Sequence, residues 1–332
     1  MKTRVHDSHR ARTRMKWQPG AHDAKSHGPP GSNPMSRADS PSQTRFHRGV
    51  HAAAPDDFEI RFGGIGRLVG TDALARLRSA RVAIVGLGGV GSWAVEALAR
   101  SGIGHLTLID LDEVCLSNVN RQLPALDGTL GRFKAEVLAE RVRAIHPGCQ
   151  VDARIEFFTE ASSERLLSGG YSAVVDAIDA VANKCRLIAA CRARNLPVIV
   201  CGGAGGRLDP TRLREADLAD VTHDRLLAEV RRRLRHEQGF APAGKRMKVP
   251  AIFSDESPVI PRKDGSVCEA HSAEAKAEDD EIRRLNCDWG YGSATFVTGA
   301  FGFAAAAWVI RHIARAASTD PGIPPTSTNC PA

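Results

Sequence analysis

Arg81-Val82-Ala83-Ile84-Val85-Gly86-Leu87-Gly88-Gly89-Val90-Gly91 decides the fold. The apolar run halts at glycine, the pattern of a strand buried on both faces of a parallel sheet. Gly86, Gly88, Gly89 and Gly91 then allow a tight turn, a close backbone approach to phosphate, and a following helix that aims its N–H groups at an anion. The spacing predicts a helix over Val90–Arg100 and a second strand over His105–Asp110. Further out it predicts a helix over Phe133–Ile145 stopped by His146-Pro147-Gly148, strands at Val151–Ile155 and Ala173–Ile178, a helix over Val181–Arg194 and a strand at Pro197–Cys201. Strand–helix alternation of this kind makes a doubly wound α/β fold, a mostly parallel sheet with helices on both faces.

After Gly202-Gly203-Ala204-Gly205-Gly206 the pattern changes. Residues 207–218 read as extended, Leu226–Gln238 as a helix, 251–268 as further strands and 270–286 as a charged loop. A short helix is expected at 71–79. Ser293–Ile310 carries no charged residue over 18 positions, near the lower length for a membrane span. Its threonines, glycines and alanines suit instead a helix packed closely on the sheet, so membrane association is not expected.

The chain has 332 residues, 42% hydrophobic, and a net charge of +7. Residues 1–55 hold ten Lys/Arg against Asp7, Asp23 and Asp39 and show almost no apolar periodicity, the signature of a disordered basic tail. Such a tail could serve as an RNA-binding arm, an organelle presequence or a run added by an upstream start codon. It has no apolar segment of the secretory type, so a cytoplasmic location is expected. Residues 318–332 read as a flexible tail. The division expected is a single adenylating domain over 56–317, with a nucleotide-binding core at 80–205, a substrate-facing extension at 206–290 and a packed helix at 293–316. The eight cysteines form no Cys-x-x-Cys pair, which argues against a zinc ribbon. Cys185, Cys191 and Cys201 read as buried structural thiols.

The glycine turn alone fits NAD, FAD and ATP sites equally. Asp110, 19 residues after Gly91, is placed to take a ribose hydroxyl pair. The segment beyond it departs from a nicotinamide enzyme. Ser117-Asn118-Val119-Asn120-Arg121-Gln122 sets a guanidinium fork and two amides past Asp110, suited to neutralising phosphate. Lys134 opens the next helix, where an ammonium opposes the helix dipole. Asp179 lies just past the fourth strand, where Mg²⁺ between phosphates could be held. Asp176 is the lesser candidate for that role, and a helix cap is the alternative reading of either aspartate. No histidine placed for hydride handling accompanies them.

These marks resemble the superfamily of ubiquitin-activating-type adenylyltransferases, which includes molybdopterin- and thiamine-pathway enzymes. Within it the likeness is to the tRNA threonylcarbamoyladenosine dehydratases. It is carried by Arg61-Phe62-Gly63-Gly64-Ile65-Gly66-Arg67, the run Gly91–Gly104, Val174-Val175-Asp176-Ala177-Ile178-Asp179, Gly202–Pro210 and Thr295–Phe303, and covers roughly residues 58–315. The resemblance implies ATP and Mg²⁺ as cofactors. Gly86, Gly88, Gly89 and Gly91 would approach the phosphates and Asp110 the ribose. Asn118, Arg121 and Lys134 would bind the triphosphate, and Asp179 the metal. Arg67 would reach into a neighbouring protomer, implying a homodimer.

The implied reaction is ATP-dependent cyclisation of threonylcarbamoyladenosine in the tRNA anticodon loop, through an acyl-adenylate. The alternative within the superfamily is activation of a ubiquitin-like sulfur carrier's C-terminal carboxylate; those relatives typically carry two Cys-x-x-Cys pairs, absent here. A third reading is an RNA-binding adaptor with a relic pocket, which the intact Arg121, Lys134 and Asp179 oppose. Some dehydratases have a cysteine just before Phe-Ser. Here Ala251 stands there in Val249-Pro250-Ala251-Ile252-Phe253-Ser254, which excludes a thiol route at that position and counts against a sulfur-relay partner. Arg231, Arg232, Arg235, Lys245, Arg246 and Lys248 are the densest ordered basic cluster and the expected tRNA face. No DNA partner is expected.

Overall fold

The computed structural model describes residues 57–262, 264–269 and 291–316. The expectations for residues 1–55, 270–286 and 318–332 lie outside the described residues. The chain opens with helices α1 (Phe58–Val69) and α2 (Thr71–Ser79), then β1 (Arg81–Val85), α3 (Gly91–Arg100), β2 (His105–Ile109), α4 (Lys134–Ile145) and β3 (Gln150–Arg154). It continues with α5 (Glu160–Leu166), β4 (Ala173–Asp176), α6 (Val181–Ala193) and β5 (Val198–Cys201). The remainder is β6 (Leu213–Asp217), α7 (Arg225–Glu237), β7 (Pro250–Ser254), β8 (Val259–Pro261), β9 (Val267–Glu269) and α8 (Thr295–Arg315).

Seven strands form one sheet in the order β3-β2-β1-β4-β5-β7-β6, parallel throughout except for the antiparallel β6–β7 pair. Burial follows position. The central strands β4 and β5 are buried along their whole length, as apolar runs in a covered parallel sheet must be. The edge strand β3 alternates exposed and half-buried residues and carries Asp152 and Arg154, which discourage pairing with a further strand. Beyond the sheet, β8 and β9 pair antiparallel on their own.

The strand order reverses between β1 and β4. Their carboxyl ends therefore open a crevice, where ligands bind in sheets of this type. Two glycines are compelled there. Gly86 has φ 88°, and a Cβ on it would lie 2.7 Å from the Ala177 carbonyl oxygen. A Cβ on Gly91 would lie 1.8 Å from the carbonyl oxygen of Gly86. The turn can close only without side chains at these positions.

The expected close packing of the C-terminal helix is present, but its tightest partner is α3 rather than the sheet. A Cβ on Gly302 would lie 2.5 Å from the Val90 carbonyl oxygen and 2.8 Å from the Ala94 nitrogen. Val297, Phe301, Ala305 and Val309 meanwhile join β1 and β2 residues in the main core. α8 is long and apolar enough to cross a membrane, yet half of its apolar window is buried inside the protein.

Two helices have weak sequence signals. α1 contains Gly63, Gly64 and Gly66, poor helix formers. It is held by Phe58 and Phe62 packing on Leu74, with the rings 4.9 Å apart. α5 is only seven residues long and depends on its cap, in which the Thr159 hydroxyl accepts the Ser162 N–H.

Candidate active site

The crevice forms a cavity of about 610 Å³, within the usual range for small-molecule sites. It collects Gly86, Gly88, Gly89, Asp110, Asn118, Arg121, Lys134 and Asp179 from the ends of three strands, β1, β2 and β4, and the loops after them. Gly91 stands just behind, as the first residue of α3. Residues separated by 93 positions in sequence thus share one wall (Gly86 to Asp179).

Asp110 follows β2 and spans the turn: Oδ2 accepts the Leu87 N–H at 2.6 Å and Oδ1 the Asp112 N–H at 2.8 Å. Burial pushes its pKa up, opposed by these two backbone donors and by the Lys134 charge. Each oxygen retains a lone pair for a ligand hydroxyl.

Lys134 is buried, and its ammonium bonds Asp112 Oδ2 at 2.8 Å. This pair explains how a lysine is tolerated in the first turn of α4. Asp112, whose side chain is half exposed, compensates the charge that the helix dipole disfavours.

Arg121 is fixed from behind. Its carbonyl accepts the Trp93 indole N–H at 3.1 Å and the Thr298 hydroxyl at 3.2 Å. Its Nη1 donates to the Ser117 carbonyl at 2.7 Å and to Asn120 Oδ1 at 3.0 Å. Asn120 in turn donates to the Ser293 carbonyl at 2.7 Å, and its own carbonyl accepts the Thr295 N–H at 3.1 Å. The Thr295–Phe303 stretch is therefore a clamp on the arginine loop. Asn118 is buried, with Oδ1 accepting the Cys115 N–H at 3.0 Å. Gln122, to which the sequence pattern assigns no role, lines the cavity with Oε1 buried and unpartnered.

The two aspartates after β4 separate cleanly. Asp179 is exposed at the cavity rim. Asp176 is fully buried and accepts the Lys184 ammonium at 3.0 Å and the Ile178 N–H at 3.1 Å, so it braces the strand end instead of facing a ligand. Lys184 also donates to the Ile178 carbonyl at 2.9 Å. Among the described residues no group of three His, Cys, Asp or Glu side chains could hold a metal by itself. A lone carboxylate beside a phosphate site suits Mg²⁺, which is commonly bound by one or two carboxylates plus substrate phosphates.

The cavity's other end is built by the loop after β5, Cys201–Gly205, with Asn183, Leu226, Tyr291 and Ser293. Asp224 caps α7 through the Leu227 N–H at 2.8 Å and also accepts the Gly203 N–H at 2.9 Å, tying that helix to the cavity wall. Burial pushes the thiols of Cys191 and Cys201 up to about 12 and that of Cys185 to about 11. None is a nucleophile at neutral pH, in keeping with structural thiols.

The basic cluster lies outside the cavity, and its members differ. Leu226 at the start of α7 reaches the cavity, so Arg231 to Arg235 stand about 8–14 Å further along that helix, at 1.5 Å per residue. Arg231 is engaged within the fold: its Nη1 donates to the carbonyls of Leu218 at 3.1 Å and Val221 at 2.8 Å. Arg232 bonds Glu229 through both Nε and Nη2, and Arg233 joins the same carboxylate; together they hold it down to about 2. Arg235 donates to the Ala241 carbonyl at 3.2 Å. Lys245, Arg246 and Lys248 are exposed on the next loop. Arg67 is exposed on α1 and does not line the cavity of its own chain.

Comparison with known proteins shows the family. Residues 65–322 match the model of the ThiF family. The chain is 47% identical over 256 residues to the tRNA threonylcarbamoyladenosine dehydratase of Haemophilus influenzae, covering 77% of this chain and 94% of the relative. It is 45% identical over 259 residues to the Escherichia coli protein of that name, covering 78% and 95%. The structure of Escherichia coli tRNA N6-threonylcarbamoyladenosine dehydratase, TcdA, in complex with ATP superposes with a TM-score of 0.67 at 40% identity, covering 79% of this chain and 97% of that one. The chain belongs to the ThiF family.

Proposed function

We propose that this ThiF-family protein is an ATP-dependent dehydratase that cyclises threonylcarbamoyladenosine in tRNA. The observation that carries the reading is the single cavity in which the glycine turn, Asp110, Arg121, Lys134 and Asp179 meet. A carboxylate oxygen of the threonyl group attacks the α-phosphorus of ATP. The acyl–phosphate bond forms, the bond to the β-phosphate oxygen breaks, and pyrophosphate leaves. Arg121 and Lys134 offset the charge that moves onto the departing oxygens, in a site where such donors are already oriented. The carbamoyl group then attacks the activated carbonyl, the carbonyl carbon–oxygen bond to AMP breaks, and one carbamoyl proton is lost. The atoms of one water are thereby removed, its oxygen leaving on AMP. Ring closure is intramolecular, with an effective concentration on the order of 10⁵ M or more when aligned, so no protein nucleophile is required.

Asp110 orients the ribose, and the glycine turn with the start of α3 receives phosphate oxygens. Asp179 would hold Mg²⁺, whose chemistry when bound is to neutralise phosphate charge. Lys245 and Arg246, exposed beyond α7, supply the basic surface for tRNA, while Arg232 and Arg235 border it. Arg67 on α1 would reach a second copy in a homodimer. Ala251, fully buried in β7 and paired with Val200 and Ala216, leaves no thiol there for a sulfur relay. A cytoplasmic location accompanies a tRNA substrate.

ATP–pyrophosphate exchange tests this reading. Exchange stimulated by tRNA bearing threonylcarbamoyladenosine is expected. Stimulation only by a protein with a Gly-Gly tail would replace the dehydratase with a carrier activator, and no exchange with either would leave a binding protein.

A further inference from the structure

The cavity's lining runs from the residues after β1, β2 and β3 to the loop after β5. Asp110 and the glycine turn fix the nucleotide end, and Glu156, Phe157 and Phe158 come after β3 at that end. At the opposite end the wall from Gly202 to Gly205 carries almost no side chain. Two apolar side chains flank this bare strip. A Cβ on Gly203 would lie 4.0 Å from Leu226 Cβ, and one on Gly205 would lie 2.8 Å from Tyr291 Cβ. Leu226 belongs to α7, the element that leads out to the basic surface. Tyr291 is 40% exposed and lines the cavity, so its ring is accessible to a ligand there.

Tyr291 is also held in place. The Gly206 N–H donates to the Gly292 carbonyl at 2.7 Å, and the Gly206 carbonyl accepts the Val259 N–H at 2.8 Å. The Ser293 carbonyl accepts Asn120 Nδ2 at 2.7 Å. The ring lies against Gly206, where a Cβ would come 2.8 Å from Tyr291 Cδ1. The tyrosine is therefore pinned between the wall after β5 and the loop that carries Arg121, the residue nearest the chemistry in the proposed reaction.

We infer that Tyr291 is the stacking platform for the substrate's own base. The modified adenine, splayed out of the anticodon loop, lies on the ring with the bare strip beside it and Leu226 at the far side. Its threonyl carboxylate then points toward Arg121 and the α-phosphate. Single-stranded RNA bases are commonly recognised by such stacking once they leave their neighbours. Enzymes that do chemistry on a base commonly take it out of the stack into a pocket. The cavity would thus take two adenine rings, that of ATP at the Asp110 end and that of the tRNA at the Tyr291 end. This inference rests on the dehydratase reading.

The test is steady-state kinetics on tRNA carrying threonylcarbamoyladenosine, with ATP affinity measured separately. Tyr291→Leu keeps bulk and removes the π face; it should raise KM for the tRNA by about 5- to 150-fold, the range for losing one stacked base. The ATP dissociation constant should stay at the wild-type value, and Tyr291→Phe should restore KM. An unchanged KM in Tyr291→Leu overturns the inference, and so does a loss of ATP affinity equal to the loss for tRNA, which would assign the ring to the nucleotide. Wild-type protein inactive on this tRNA removes the dehydratase reading and the inference with it. Active wild-type protein with an indifferent Tyr291→Leu removes the base platform alone.

Discussion

Replacing Lys184 with methionine tests the brace beneath the cavity. Lys184 and Asp176 are both fully buried, with the ammonium 3.0 Å from Asp176 Oδ1 and 2.9 Å from the Ile178 carbonyl. Asp176 Oδ2 already lacks a partner, so without the lysine the carboxylate keeps only the Ile178 N–H. Breaking a buried pair by removing one member typically costs about 3–5 kcal/mol, because the remaining charge is uncompensated. For a domain of this size each kcal/mol moves Tm by about 2–4 °C, so Lys184→Met should lower it by roughly 6–20 °C. Asp176→Asn/Lys184→Met removes both charges and keeps an acceptor for the Ile178 N–H. It should therefore be more stable than Lys184→Met alone, a coupling that the double-mutant cycle measures directly. Because Ala177 and Ile178 back the Gly86 turn, ATP affinity should fall in the single variant and recover in the double one. Thermal unfolding of the wild type and these variants (Asp176→Asn included), with nucleotide titration, is the assay. A single variant as stable as wild type, or a double variant no better than the single, would refute the argument.

Other sites make separate predictions. Arg121→Ala should lower kcat/KM by roughly 10²–10³, as for loss of one oriented charge-stabilising donor, and Arg121→Lys should recover only part because it lacks the fork. Burial raises the pKa of Asp110 above the unfolded value of about 3.9. Between those two values the folded chain keeps a proton that the unfolded chain has lost, so this group removes stability as pH rises through the window. ATP affinity should change the opposite way, rising as the carboxylate ionises, and Asp110→Asn should flatten the profile in titrations from about pH 4 to 7. Lys245→Glu with Arg246→Glu should weaken tRNA binding and reduce the salt dependence of log K by about 0.7–0.9 for each phosphate no longer neutralised. Filter binding across a salt series checks this, and an unchanged slope would move the tRNA face elsewhere.

Much of the architecture could be read from local pattern. The strand preceding Gly86 and the alternation after it depend on burial and glycine sterics, which act over a few residues. The residues around the nucleotide end were readable for the same reason, since each follows a strand end. Partnerships across the fold were not readable. Nothing near Lys134 announces Asp112, and nothing near Asp176 announces Lys184, eight residues on along α6. The basic run on α7 looked uniform because charge is visible in sequence while hydrogen bonding is not. Arg231 turned inward to satisfy two carbonyls. Tyr291 carried no signal at all, because its meaning depends on Gly205 and Gly206, more than 80 positions earlier. The glycines of α1 concealed a helix that tertiary packing of Phe58 and Phe62 sustains.

The central claim is that one cavity activates a carboxylate of a modified tRNA nucleoside with ATP and lets it close on itself. Mass spectrometry of nucleosides from tRNA incubated with the protein and ATP tests it most directly. The expected product is lighter than threonylcarbamoyladenosine by one water, formed together with an equal amount of AMP and only when ATP is present. Recovery of the linear nucleoside unchanged, under conditions where the protein is folded and binds ATP, would contradict it.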